Sequence, residues 1–380
     1  STMKVPMSQE RLDEACDFLR WKADDHFTFL GYREYEVVET EDDSVLRPLP
    51  DTGLGLLRDD RRAGRSRSVR ALLDSMHAPG NEPDALIVTK TNARATVHRT
   101  GYMDYIGVLD FDENGRACGE RRFIGLYTSS VYNQSTWEIP LVRERNEYVV
   151  ERSELSKDGH SGKALRHILE TLPRDELLQS SREELFPVVM SILALQERIR
   201  PRLFLRRDRF GRFFSALIYI PRDRFNTEVR RKVEAMLMSA LNGQRIDTTS
   251  QVGDSPLAQL HMIVRPKAGA AEAVDVAALE RSLNDIVRDW HDAVGEVLTA
   301  RHGEARGLEM ASRFGRSLPV GYIEEISPEV AADDIERRQR TRQRHGLGHH
   351  MFGGTVAAIM VQIGSSTQAR VGSAAVGSAL

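Results

Sequence analysis

The chain has 380 residues, 41% of them hydrophobic and 29% charged, with a formal net charge of −3. That length exceeds what one hydrophobic core organises and predicts two or three domains, while the near-neutral charge excludes a global field that would draw the molecule onto DNA or a membrane. The two cysteines, Cys16 and Cys118, form no C-x-x-C pair, which argues against a disulfide framework and a structural zinc site and for a reduced, cytoplasmic protein.

The N-terminal stretch STMKVPMSQERLDEACDFL turns charged before an apolar core of signal-peptide length develops. A start at Ser1 without methionine suggests a piece of something longer. No run approaches the ~20 apolar residues of a membrane span; the nearest, MFGGTVAAIMVQIGSS from Met351, is short and broken by glycine. From Ser8, read as the N-cap, Leu12, Ala15, Cys16, Leu19 and Ala23 recur at steps of three or four and predict a helix. The period then changes: Phe27, Phe29, Tyr35 and Val37 alternate as on a half-buried strand. Residues 41–85 are connective, with one short helix expected at VRALLDSM. ALIVTKTN reads as a strand, and two β-rich runs flank Asp112-Glu113-Asn114-Gly115, whose Asn-Gly pair predicts a hairpin turn with positive φ.

GHSGKALRHILETLP and SREELFPVVMSILALQERI read as helices, the second with Ser181 and Glu184 at capping-box spacing. RLFLRRD and RFFSALIYIP are strands joined by a turn at Arg209-Phe210-Gly211. Thr227 or Asn226 caps a helix with inner face Val229, Val233, Met236, Leu237 and Leu241, ended by Asn242-Gly243. QRIDTTSQVG and LAQLHMIVRP supply two more strands. Residues 183–266 therefore read helix, strand, strand, helix, strand, strand, a circularly shifted ferredoxin-like order with four strands and both helices on one face. From Asp275 a single long helix is expected, striped by Leu279, Leu283, Ile286, Val287, Trp290, Val294, Val297 and Leu298. Residues 337–380 contain no Asp or Glu, although acids number 56 in the chain, and read as a disordered or non-native tail.

Chemical motifs are sparse. Between Arg198 and Lys232 twelve basic residues face three acids, and a basic strand with aromatics suggests an RNA-recognition sheet. Arg212 after Gly211, however, makes Phe213 and Phe214 adjoin rather than alternate, and the acidic chain opposes phosphate binding elsewhere. Gly53-x-Gly55 is followed by Arg58 where a dinucleotide fingerprint needs a third glycine, and Asp59-Asp60 would repel a pyrophosphate. His345, His349 and His350 lie among glycines that would not fix a ligand geometry. Asp24-Asp25 and Asp333-Asp334 read as helix-end and surface charges, and His98, His160 and His167 stand alone. No H-E-x-x-H or G-x-S-x-G occurs. Neither a catalytic group nor a cofactor or metal ligand is assigned.

Four stretches carry a resemblance: DHFTFLGYREYEV; MDYIGVLDFDENGRACGERRFIGLYTSSVYN; LFLRRDRFGRFFSALIYIPRDRFNTEVR; and WHDAVGEVLTARHGEARGLEMASRFGRSLPVGYIEEISPEVAADDIER. In this order they resemble the regulatory region of the large bacterial NAD-dependent glutamate dehydrogenases, over residues 8 to about 337. The resemblance implies an α+β, multi-module fold. It comprises a PAS-like antiparallel α+β module (1–160), a helical linker (161–182), an ACT-like module (183–267), a helical segment (272–338) and a tail (339–380). It also implies an oxidoreductase parent that uses NAD, contacts among modules and subunits of a homo-oligomer, a cytoplasmic location and no nucleic-acid or membrane partner. The glycine-flanked lysine and glycine-rich NAD turn of the family's catalytic domain are not found, so the segment alone is expected to be inactive. A first ACT-like module is missing before residue 8, and the match stops near Arg338, as if the tail were read out of frame. An amino-acid effector would meet Pro221 to Asn226 or Pro266 to Gly269. Arg206, Arg207, Arg222 and Arg224 are the candidate effector or inter-module contacts, since an arginine can grip a carboxylate bidentately. The alternative is a ferredoxin-like RNA-binding module.

Overall fold

The computed structural model describes residues 7–40, 43–59, 67–68, 84–98, 100–253, 255–267, 274–288, 290–314 and 318–345. The expected helix at VRALLDSM, His349, His350 and residues 346–380 of the tail lie outside the described residues. The chain divides into two compact units, Ser1–Val287 and Arg288–Leu380.

The first unit opens with α1 (Gln9–Trp21), capped by the Ser8 hydroxyl as its sequence predicts. A tight turn over Lys22–His26, with Asp25 at φ 58°, leads into β1 (Phe27–Glu39). Next come β2 (Ser44–Pro48), β3 (Leu54–Gly55), β4 (Arg67–Ser68), β5 (Leu86–Ala95), β6 (Gly101–Phe111) and β7 (Ala117–Tyr127). They form one antiparallel sheet in the order β4-β2-β1-β7-β6-β5, with β3 paired to β1. At the β6–β7 turn only Gly115 of the Asn-Gly pair takes a positive φ, 76°. Asp112 organises the rest by accepting bonds from the Asn114 and Arg116 amides, which lengthens the loop beyond the two-residue turn the sequence suggests.

A helical layer follows: α2 (Ser129–Asn133), α3 (Val142–Arg152), α4 (His160–Thr171), α5 (Arg174–Gln179) and α6 (Arg182–Glu197). The Ser181–Glu184 capping box starts α6. Then come β8 (Arg202–Arg207), β9 (Phe214–Pro221), α7 (Thr227–Ala240), β10 (Gly243–Gln251), β11 (Leu257–Pro266) and α8 (Val276–Val287). The four strands form a second antiparallel sheet, β10-β11-β9-β8. Of the two candidate caps for α7, Asn226 is the one used, accepting from the Val229 amide.

Phe214, Ala216, Ile218 and Ile220 of β9 share a core with Val233 and Leu237 of α7, its C-cap Leu241, and Leu279, Leu283 and Val287 of α8. The alternate residues Leu217 and Tyr219 join Leu185, Val189, Ile192 and Leu195 of α6 in the core shared with the first sheet. A strand covered on both faces explains the unbroken apolar run FFSALIYI. It also corrects the sequence reading: α8, not α6, is the second helix on the α7 face, because α6 packs on α3 and α4 against the opposite side. The shifted ferredoxin-like order survives as ββαββα.

The single long helix expected from Asp275 is instead two helices, α8 ending at Val287 and α9 (Trp290–His302) beginning the second unit. The apolar period runs unbroken across the junction, so spacing alone could not reveal it. This unit continues with α10 (Glu304–Phe314), α11 (Val320–Glu325) and α12 (Pro328–His345) around Val294, Leu298, Met310, Ala331, Ala332 and Ile335. Helix α12 runs seven residues past Arg338, into the stretch read as tail. The α9 and α10 backbones approach closely at buried Gly307, where a Cβ would lie 2.3 Å from Thr299 Cα. Gly307→Ala is expected to cost roughly 2–3 kcal/mol despite alanine's better helix propensity. Helical melting and tryptic sensitivity of this unit check it; an unchanged melting curve would contradict the close approach.

Candidate functional site

The outer face of the second sheet should be apolar throughout, since it is buried against the helical layer, yet three strands place a polar residue there. Arg206 of β8 sits directly opposite Ser215 of β9, and His261 of β11 lies opposite Leu217, one same-face step along. All three converge on Glu176 of α5. Arg206 grips that carboxylate through Nε at 3.2 Å and Nη2 at 2.9 Å, and Ser215 Oγ donates to its Oε1. His261 Nε2 lies 2.9 Å from Ser215 Oγ and 3.3 Å from Glu176 Oε1. Glu176 is 8% exposed. Burial opposes its charge, but Arg206 and His261 outweigh burial and hold its carboxyl well below the usual carboxylate range.

Serine, histidine and a carboxylate are the ingredients of a hydrolytic triad, but the geometry is not one. A triad needs opposite ring nitrogens on nucleophile and acid, whereas here the same Nε2 faces both. The arrangement is a satisfied buried ion-pair network, and its chemistry is positional.

The β8–β9 turn extends this seam onto the first sheet. Asp208 receives the Phe210 and Arg212 amides and the Arg212 Nε at 3.0 Å, while Thr89 of β5 donates to its other oxygen. Burial opposes the Asp208 charge, and Arg212 outweighs it, so that carboxyl also sits low. Arg209 bonds Asp84 at 3.1 Å, and Arg265 of β11 bonds Asn92 at 2.7 Å and covers the Tyr102 ring. Deeper, Lys90 bonds Asp104 at 2.7 Å and lies 3.2 Å from Asp175; burial works against its charge, but these acids prevail and raise its pKa.

Lys22 is a different case. It is 1% exposed, its Nζ has no hydrogen-bond partner among the described residues, and it lies over the Phe27 ring at 4.1 Å with Phe18, Phe29 and Phe123 within 6 Å. Burial lowers its pKa to about 7, against a smaller opposing pull from Asp104.

The four candidate arginines separate. Arg206 is in the network, with its side chain 13% exposed. Arg207 is exposed, its guanidinium beside the Gly211 turn. Arg222 and Arg224 form a 3-10 turn after β9; Arg222 is exposed, and its amide donates to Pro256 O. They do not form one cluster with Arg206. Sequence reasoning missed Glu176, Ser215, His261, Thr89 and Lys22. The usable signal was that Arg206, Ser215 and His261 interrupt apolar strands at positions that share a face.

Gly53 and Gly55 serve a turn against β1: Gly55 has φ 57°, and a Cβ there would lie 2.3 Å from Leu30 O. Asp333 and Asp334 pair with Arg301 and Tyr322. No group of His, Cys, Asp and Glu among the described residues could hold a metal ion, and no described helix is long and apolar enough to cross a membrane. An RNA-binding sheet needs exposed stacking rings, whereas Phe213 and Phe214 are 0% and 4% exposed.

Comparison with known proteins adds the family. Three family models match successive stretches: glutamate dehydrogenase helical motif 1 over residues 139–198, the glutamate dehydrogenase ACT2 domain over 202–291, and helical motif 2 over 297–339. The NAD-specific glutamate dehydrogenase of Pseudomonas aeruginosa is 37% identical over 334 residues, 88% of this chain and 20% of that protein. The chain belongs to the NAD-specific glutamate dehydrogenase family. The NAD-specific glutamate dehydrogenases of Halomonas elongata and Mycobacterium tuberculosis are 36% and 30% identical, covering 85% and 84% of this chain. The chain spans about a fifth of the length of these glutamate dehydrogenases, 20%, 20% and 19% respectively. The glutamate dehydrogenase ACT2 match starts at the first residue of β8, while helical motif 1 takes in α6, in accord with the packing of α6 away from the α7–α8 face.

Proposed function

We propose that this chain is a regulatory and assembly segment of a large NAD-dependent glutamate dehydrogenase. The parent oxidises L-glutamate with NAD and water to 2-oxoglutarate, ammonia and NADH on a catalytic domain outside this segment. Residues 1–160 serve as a PAS-like module, the second sheet with α7 and α8 as an ACT-like module, and α9 to α12 as a helical segment. Their partners are other modules and subunits of a cytoplasmic homo-oligomer. Arg206 serves as an inter-module contact, and Arg207, Arg222 and Arg224 lie where a further module or an amino-acid effector can be met.

The reading is supported most by the coincidence of the ACT2 match with a sheet whose outer face is docked through a buried ionic network. Such a network transmits position, since a shift of either sheet would strand a buried charge. The test is Arg206→Lys in the parent enzyme, which keeps charge but loses the bidentate grip. The expected result is a KM for glutamate or a subunit assembly equilibrium altered by about threefold or more, with kcat within about twofold. A kcat loss of orders of magnitude at unchanged KM would place the residue in the chemistry and overturn the proposal.

A further inference from the structure

At the foot of α1, where the starts of β5, α3 and α6 meet, a cleft encloses about 30 Å³, room for two waters or one carboxylate group. Three arginines and three acids line it, Arg11, Arg145 and Arg182 against Glu14, Asp84 and Glu144, and the acids are already engaged. Asp84 is bound by Arg11 and Arg209. Glu144 is bound by Arg182 at 3.0 Å. Glu14 takes Arg143 Nε at 2.7 Å and the Leu141 amide at 3.0 Å.

Arg145 is left over. It is 8% exposed, and Nη1 donates to Leu177 O at 2.6 Å. Among the described residues that is the one hydrogen bond its guanidinium makes, and it has no ion pair. A nine-tenths buried guanidinium with no carboxylate in contact is costly, because burial strips its hydration and the nearby Asp84 charge only partly replaces it. The desolvation is large enough to lower the Arg145 pKa against the pull of Asp84. With one Nη1 hydrogen given to Leu177, the Nε–Nη2 edge keeps its donors as a side-on fork that matches the two oxygens of a carboxylate. Ala15, Leu86 and Leu141 give the same cleft apolar wall.

We propose that this cleft is a binding site for a small carboxylate, held by the Nε–Nη2 edge of Arg145 with its short apolar tail against Ala15 and Leu86. The planar fork fits a planar carboxylate, and a cleft with room for one such group is too small for a phosphate. The biological meaning rests on the regulatory reading, but the binding does not, so it is tested on this chain alone.

The test is thermal melting of the 380-residue protein titrated with acetate and with propionate at constant ionic strength, with chloride and sulfate as controls. Saturable stabilisation by the carboxylates is expected, with affinity reduced about tenfold or more in Arg145→Lys and retained in the double variant Arg222→Ala, Arg224→Ala. Equal stabilisation by chloride, an unchanged titration in Arg145→Lys, or no saturable response would overturn the site. Should Arg145→Lys fail to fold, the wild type decides: nuclear Overhauser contacts from the propionate methyl to Ala15 and Leu86 are expected, and their absence overturns it.

Discussion

Glu176→Gln is expected to destabilise the first unit by roughly 3–5 kcal/mol, lowering its melting temperature on the order of 10 °C. The substitution keeps the shape of the side chain and an acceptor for Ser215, but it removes the negative charge and one of the two oxygens that Arg206 grips, leaving a largely buried guanidinium without its counter-charge. The wild type should show the matching pH dependence. Glu176 is held below its ordinary 4.5 in the folded chain, so its contribution is fully present above about pH 4.5. It is lost as pH falls from there through the folded value, because the unfolded chain takes up the proton first. Chemical denaturation at pH 7 and at pH 3 measures both: the variant should lie far below wild type at pH 7, with the gap narrowing at pH 3. Equal stability at pH 7 would mean that the network contributes nothing to docking.

Lys22→Met should have the opposite sign. A lysine held at about 7 instead of 10.5 carries a charging penalty of about 4 kcal/mol at pH 7. The surrounding Phe rings return about 2 kcal/mol through cation–π attraction, less than desolvation removes, so methionine of similar length should stabilise the unit. The unfolded chain keeps the Lys22 proton up to about pH 10.5, whereas the folded chain releases it near 7. Unfolding therefore takes up a proton between those values, and wild-type stability climbs with pH across that window. Denaturant midpoints from pH 6 to pH 10 should rise in the wild type and lose this slope in Lys22→Met. A variant less stable than wild type at pH 7 would show that the rings, not burial, decide the state of the ammonium.

Elements with their own periodicity were legible in the sequence. The Ser8 cap, the Ser181–Glu184 box, the β8–β9 turn at Gly211 and the Asn242-Gly243 stop all stand where residue chemistry puts them. What failed was the assignment of faces. FFSALIYI announces a strand buried on both sides, but whether α6 or α8 covers a given side depends on contacts across tens of residues, which spacing does not encode. The break between α8 and α9 was hidden for the same reason. The polar seam was harder still. Glu176 lies in the six-residue α5, and its partners come from three strands up to 85 positions away. Lys22 falls in a charged stretch, LRWKADD, where a surface lysine is the ordinary expectation, and only the π-type turn carries it under the rings of Phe27 and Phe123.

The central claim, that this segment positions and regulates but leaves hydride transfer to another domain, is tested most directly on the purified 380-residue chain. NADH fluorescence titration combined with glutamate-dependent NAD reduction at 340 nm should give neither saturable binding nor turnover above the no-protein rate. Micromolar NADH binding, or NADH formation proportional to the concentration of this chain, would contradict the account.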